Sequence, residues 1–222
     1  RDRLLSRGLG DVYKRQLAFN PDGHGGTLRA LAGSGVLSTL RSQGIEHLSY
    51  FQVDNPLVRA LDPIFLGLHI GDSVSSGEVT SKAVAKRSAD EKVGVFGVQD
   101  GHLTVLEYSD LDPEMCEATD GHGKLKFRAG NMAVHAFGLD FLDRLTKGKG
   151  LPFHRAIKKV PFFDESTGTV QTPPAPNAVK YETFIFDALP LATRPLVVEA
   201  DRAEEFAPIK NAEGSDSVET SQ

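Results

Sequence analysis

A chain of 222 residues, 40% hydrophobic and 25% charged, can bury the core of one domain or most of one. Its net charge of -5 argues against a nucleic-acid partner, which would call for a basic face. The single Cys116 excludes an internal disulfide and a cysteine-cluster zinc site, and no apolar run is long enough to span a bilayer, so a reducing, cytoplasmic setting with no membrane partner is expected.

The ends differ from the middle. Asp11 to Gln16 reads DVYKRQ, the translation of a sequencing-library transposon adapter, so residues 1–16 are expected to be an adapter artefact. Residues 17–212 then read as part of one domain, and the polar stretch 213–222 as a tail or clipped loop that begins near Asn211.

Between the ends, short β-branched runs alternate with amphipathic segments, the pattern of an α/β fold. Thr27 to Gly44 carries Leu28, Leu31, Ala32, Val36, Leu37 and Leu40 at helical spacing, with a break expected at Gly33 and Gly35. His47 to Val53 reads as a buried strand ending at Asp54-Asn55-Pro56, and a helix is expected over Ile64 to Ser73 after Pro63. Val79 to Lys86 and Val93 to Val98 read as strands. Gly101 to Tyr108 is expected to pair with the second of them through a hairpin turn at Gln99-Asp100-Gly101, where Asp-Gly tolerates positive φ. Met132 to Phe137 reads as a strand and Asp140 to Thr146 as a helix. Pro161 to Gly168 is turn-bounded, Thr172 to Ala178 a proline-rich linker, Thr183 to Leu191 helical and Pro195 to Glu199 a strand.

Several positions carry chemistry or a plainer role, and the residues alone leave both open. Asn20 to Gly26 (NPDGHGG) is a turn whose backbone N–H groups can approach an anion or a flat base, but it completes no GxGxxG or GxxxxGK[ST] motif. Asp54 either caps the next helix or stands where open α/β sheets place ligand and metal groups. Glu107 is a carboxylate in an apolar strand that either faces water or binds a ligand, and Asn131 either shapes a turn or offers an amide that both donates and accepts. Lys180 and Lys210 stand apart from other basic residues, whereas Lys158 and Lys159 read as a solvated pair. No two histidines fall at i,i+4 with an acidic partner, so a histidine-metal site is not expected.

Read together and in order, these markers resemble one family. They are Pro21-Asp22-Gly23-His24-Gly25-Gly26, Val53-Asp54-Asn55, Val93-Gly94-Val95, Val105 to Ser109, Ala129-Gly130-Asn131, Lys180 to Asp187 (KYETFIFD) and Glu205 to Ala212 (EFAPIKNA). From Leu17 to about Ala212 the chain resembles the central region of the UDP-N-acetylglucosamine pyrophosphorylases, within the wider uridylyltransferase family. The resemblance implies a Rossmann-like nucleotide-diphospho-sugar transferase domain around a mixed sheet, truncated here at both ends. It also implies a reaction that joins UTP and a sugar 1-phosphate, most simply N-acetylglucosamine 1-phosphate, to give a UDP-sugar and pyrophosphate with Mg2+. A UTP–glucose-1-phosphate uridylyltransferase and a non-catalytic sugar-nucleotide-binding module are the alternatives. Carried over by position, Gly23 would meet the uracil through its backbone and His24 the ribose or sugar, while Asp54 would hold the metal. Gly94, Glu107 and Asn131 would bind the sugar, Phe184 and Phe186 would wall its pocket, and Lys180 and Lys210 would contact phosphate. His24 stands where a closely similar member of the family has Asn, and an imidazole cannot reproduce both amide hydrogen bonds.

The family's Gly-x-Gly-Thr-Arg loop, which cradles the triphosphate, is implied to lie N-terminal to this region and is not among these 222 residues. The chain alone is therefore expected to release no pyrophosphate. In thermal melts UDP-N-acetylglucosamine should raise its Tm more than UTP does at equal concentration, since ligand at a hundredfold excess over Kd stabilises by about 2.7 kcal/mol. A larger shift with UTP would show that the surviving half of the site is assigned wrongly.

Overall fold

The computed structural model describes residues 21–221, so the adapter-like segment 1–16, the apolar run before Asn20, and Gln222 lie outside the described residues. Two compact units are present: residues 21–27 with 151–185, and residues 28–150 with 186–221.

The larger unit is built on a six-stranded sheet of β1 (His47–Tyr50), β2 (Val79–Ala85), β3 (Val95–Gln99), β4 (His102–Leu106), β5 (Ala129–Gly138) and β10 (Leu196–Glu199). The order is β10-β2-β5-β3-β4 with β1 also on β5, and β10 runs parallel to β2 while the other pairs are antiparallel. The sheet is therefore mixed, as the resemblance implied. The β3–β4 hairpin turns at Asp100 (φ 52) and Gly101 (φ 80), so the Asp-Gly pair does what its sequence suggested. Val84, Met132 and Val134 form a buried cluster from β2 and β5, against which Val58, Ala200 and Phe206 pack.

The helical pattern breaks where the glycines predicted it, into α1 (Gly26–Gly33) and α2 (Val36–Ser42). In α3 (Pro63–Ile70) Asp62 caps the start by accepting from the N–H groups of Ile64 and Phe65, and Pro63 occupies a position that needs no N–H. The short helix α4 (Pro113–Glu117) follows β4, and α5 (Leu139–Lys147) buries Leu139, Phe141, Leu142 and Leu145 on one face. A last helical turn is α6 (Arg202–Glu205).

One irregularity in the sheet has a structural use. The β2–β5 register shifts between Ser81 and Ala83, so Lys82 stands opposite a bulge containing Ala133, whose φ is 55. The Asn131 Oδ1 accepts from the Ala133 N–H at 2.9 Å and holds that bulge. Lys82, 2% exposed, bonds to Asp62 Oδ2 at 2.6 Å and to Glu205.

The smaller unit holds β6 (His154–Lys158) antiparallel to β9 (Ala178–Glu182), with a hairpin of β7 (Phe162–Asp164) and β8 (Thr169–Gln171) between them in the chain. The pattern reading missed β6 and β9; in β9 Val179 and Tyr181 alternate with Lys180 and Glu182, but the apolar pair is the exposed one.

Three expectations are corrected. The strand at His47 is shorter than predicted, ends at Tyr50 and is only half-buried; Val53 beyond it is 99% exposed. The segment read as helical from Thr183 is extended at Thr183, whose N–H donates to Asp22 O, and becomes a 3-10 helix over Ile185–Leu191 containing Pro190. A proline removes the donor that an α-helix would need there. The polar segment from Asn211 is not a loose tail, because Lys210 and Asn211 N–H donate to Asp216 O, Asn211 Nδ2 to Ser215 O, and Ser217 is buried.

Buried in the larger unit, His69 links its Nδ1 to Thr80 Oγ1 at 3.0 Å and its Nε2 to His47 Nδ1 at 3.1 Å. Burial, with His47 adding to it, lowers its pKa from 6.5 to about 4. Between those values the unfolded chain takes up a proton that the folded chain refuses, so this contribution is complete above pH 6.5 and is lost toward pH 4. Urea midpoints should fall across that window, and His69→Gln should flatten the dependence. An equal slope in both proteins would show that other groups set it.

Candidate functional site

In the smaller unit the glycine-rich turn docks on the end of β9. Gly25 N–H donates to Thr183 O at 2.8 Å, and Thr183 returns its N–H to Asp22 O at 2.7 Å and its hydroxyl to the same oxygen at 3.1 Å. Gly23 has φ 84, and a Cβ there would lie 2.3 Å from Thr183 O, so the turn needs glycine for close packing as well as for conformation. The turn is thus committed to a protein neighbour on one side, which the sequence did not show.

His24 is held by the same contact. Its Nδ1 accepts from the Ile185 N–H at 3.0 Å, which places the ring proton on Nε2. Burial lowers its pKa, and the Glu182 carboxylate opposes that shift without reversing it, so the ring is neutral at pH 7. The imidazole stacks on Phe184 with ring centroids 5.2 Å apart, and His154 lies 4.6 Å from the same ring. His154 was not among the predicted site residues; its position opposite Glu182 on β6 could be known only once the strands were paired. Lys180 lies on the same face of β9 as Glu182 and bonds to its Oε1 at 2.8 Å. A phosphate seeking Lys180 must share it with that carboxylate.

In the larger unit, residues from three chain segments meet around Gly94. Its carbonyl accepts from the Asn131 N–H at 2.7 Å, and a Cβ on it would lie 3.0 Å from both Glu107 Oε1 and Val105 Cγ1. Gly94, Glu107 and Asn131 are thus brought together at β3, β4 and β5. Asn131 Oδ1 already serves Ala133 N–H, so its amide NH2 is the part suited to an acceptor on a ligand. Glu107 is half-buried just beyond β4, and Phe186 is buried in the core.

Asp54 and Lys210 also meet. Lys210 Nζ lies 3.8 Å from Asp54 Oδ2 and 3.5 Å from Asp216 Oδ2, and both Asp54 and Lys210 keep exposed surface (25% and 48%). These separations exceed good hydrogen bonds, so the ammonium is held by charge and not by a fixed geometry. Asp54 caps no helix: that work falls to Asp62, and Asp54 O accepts from the Ile209 N–H at 2.8 Å. Among the described residues no group of three His, Cys, Asp or Glu side chains could form a metal cage. The donor set fits Mg2+ in its other common mode, in which one carboxylate acts with substrate phosphates and water.

The chain matches the family model described as UTP–glucose-1-phosphate uridylyltransferase over residues 8–217. It is 39% identical over 214 residues to the UDP-N-acetylglucosamine pyrophosphorylase of Saccharomyces cerevisiae, covering 93% of this chain and 44% of that protein. It is 41% identical to UDP-N-acetylglucosamine diphosphorylase 2 of Arabidopsis thaliana, covering 90% of this chain and 38% of that protein. A crystal structure from Entamoeba histolytica, provisionally assigned as a UDP-N-acetylglucosamine pyrophosphorylase, superposes with TM-score 0.82 at 33% identity, covering 95% of this chain and 52% of that one. The chain thus spans about two fifths of the length of these curated relatives.

The glycine geometry makes a separable prediction. Gly23→Ala should destabilise the chain by about 1–3 kcal/mol, through its strained backbone and the clash with Thr183. Gly33→Ala, where nothing lies within 4 Å, should be neutral or stabilise by about 0.4–1 kcal/mol. Chemical denaturation of both variants tests this, and equal effects would refute the docking of the turn.

Proposed function

The chain belongs to the UTP–glucose-1-phosphate uridylyltransferase family, and on that premise we propose that its parent protein joins UTP and N-acetylglucosamine 1-phosphate to give UDP-N-acetylglucosamine and pyrophosphate. The observation that carries this reading is the meeting of Gly94, just before β3, Glu107, just after β4, and Asn131 on β5. A glycine at which a Cβ would crowd Glu107 and Val105, a carboxylate and an amide form a set suited to sugar hydroxyls and an acyl group. The choice of sugar is supported by the names of the relatives at 39–41% identity. The reaction has the parent acting on soluble substrates in the cytoplasm, and no described helix is long and apolar enough to cross a membrane.

In this proposal the chain's own residues position substrates and offset charge. Glu107 accepts from sugar hydroxyls and the Asn131 NH2 donates to the acyl oxygen. Gly23 offers backbone groups to the uracil, while neutral His24 donates through Nε2 to the ribose or sugar. Phe184, stacked on His24, offers a ring face to the sugar, whereas Phe186 is buried and serves the core of the larger unit. Lys210 is the better phosphate ligand, because its separations from Asp54 and Asp216 leave the ammonium able to turn toward an anion, whereas Lys180 is tied to Glu182. Asp54 is the carboxylate that would hold Mg2+, which when bound neutralises charge on the phosphates. The phosphate oxygen of the sugar 1-phosphate attacks the α-phosphorus, and the bond to pyrophosphate breaks.

A coupled pyrophosphate assay on the full-length parent tests the reaction. Release with UTP and N-acetylglucosamine 1-phosphate, dependent on Mg2+, is expected; no release with any sugar 1-phosphate would refute it. Asp54→Asn should lower kcat by about 10²–10³-fold, the usual loss for one group that balances transition-state charge. Its Tm should change little, because Asp54 is partly exposed and makes its backbone bond to Ile209 through its carbonyl.

A further inference from the structure

We infer that Asn55 is a positioning residue for the Asp54–Lys210 pair, an inference that rests on the reading of that pair given above. Asn55 is buried, and its side chain reaches across to the segment that carries Lys210. Its Nδ2 donates to Glu205 O at 2.7 Å, and its Oδ1 accepts from the Ala207 N–H at 3.1 Å. Those two groups lie on residues two apart, so the amide acts as a peptide group would in a strand ladder.

The next rung is made by backbone alone, with Ile209 N–H donating to Asp54 O at 2.8 Å. Together the bonds hold residues 205–209 alongside residues 54–55. Lys210 follows directly, with its own N–H on Asp216 O at 2.7 Å and its ammonium between Asp54 and Asp216. Without the amide, the Ile209 bond would be the one remaining backbone rung beside the pair, and the other ties between the segments, Arg59 to Glu204 and Lys82 to Glu205, lie farther back along the chain. Neither Asp54 nor Lys210 is buried enough to be held by packing, so their separation is set by the clamp behind them. Asn55 touches neither charged group and acts only through the backbone on both sides.

Glu205 extends the clamp into the core. Its carboxylate bonds to buried Lys82 while its carbonyl takes the Asn55 amide, so one residue joins the ionic cluster to the candidate site. An amide is the right group here, because it is neutral and both donates and accepts; a carboxylate would repel the Glu205 carbonyl.

The test uses the full-length parent and two readouts. In Asn55→Ala, amides of Ala207, Ile209 and Lys210 should exchange with deuterium at least about tenfold faster, while those of Val134 and Ala136 in β5 stay at their wild-type rates. In the uridylyl transfer assay kcat should fall by about 10²-fold, as expected for a small misplacement of charged groups, with KM for the sugar phosphate within about threefold. In a Lys210→Ala background the same substitution should cost clearly less, under about threefold in kcat, because Asp54 no longer has a partner to be held in register with. Unchanged exchange at Ile209 and Lys210, or an equal loss of kcat in both backgrounds, overturns the inference. If Asn55→Ala does not fold, Asn55→Ser is carried through the same measurements. If the wild-type parent releases no pyrophosphate, the proposed function fails, and the exchange rates still decide whether Asn55 is the clamp.

Discussion

A single buried ammonium organises the part of the larger unit that carries Asp54 and Lys210. Lys82 lies at a break in the register of β2 and gathers Asp62, from the cap of α3, and Glu205, from α6. Burial alone would raise the Asp62 pKa, but the Lys82 ammonium and the N–H groups of Phe65 and Ile64 outweigh it and hold the carboxyl below its ordinary range. Removing one partner from such a buried group leaves an uncompensated charge, which typically costs about 3–5 kcal/mol. The loops before α3 and after α6 are therefore tied to the sheet by charge as well as by packing. Lys82 also lies 5.2 Å over the Phe65 ring, which shields the cluster on another side.

What the cluster anchors is polar and half-exposed, as a site that must exchange ligands requires. Asn55 carries the constraint from Glu205 outward, and the Asp54–Lys210 pair sits at its end with room to rearrange. Rigidity is thus graded along this path, from a nearly inaccessible ammonium to a lysine that is 48% exposed. Preorganised groups aimed at phosphate contribute to catalysis only when something behind them prevents their relaxing toward each other. The smaller unit solves the same problem by other means. There the turn at Gly23 is held by backbone bonds to Thr183, and His24 is fixed by a backbone N–H on one nitrogen and the Phe184 ring against its face.

Much was legible in the sequence alone. The α/β class, the Asp-Gly hairpin, the break between α1 and α2 and the helix after Pro63 follow from local preferences, because turn residues, glycine breaks and caps act over a few positions. The family also could be read, because its markers are short, ordered and spread along the chain. Tertiary structure alone decided the rest. Nothing local distinguishes Lys82 from a surface lysine, and nothing marks Asn55 as more than the neighbour of Asp54; both meet Glu205, which lies 123 and 150 residues away along the chain. The docking of Asp22 on Thr183 spans 161 residues and belongs with them, whereas the 3-10 turn around Pro190 and the bonds from Asn211 to Ser215 and Asp216 are local features that helical spacing and polar composition did not reveal. A residue's own preferences do not encode where a hydrogen-bond partner as far along the chain as Glu205 or Thr183 will lie.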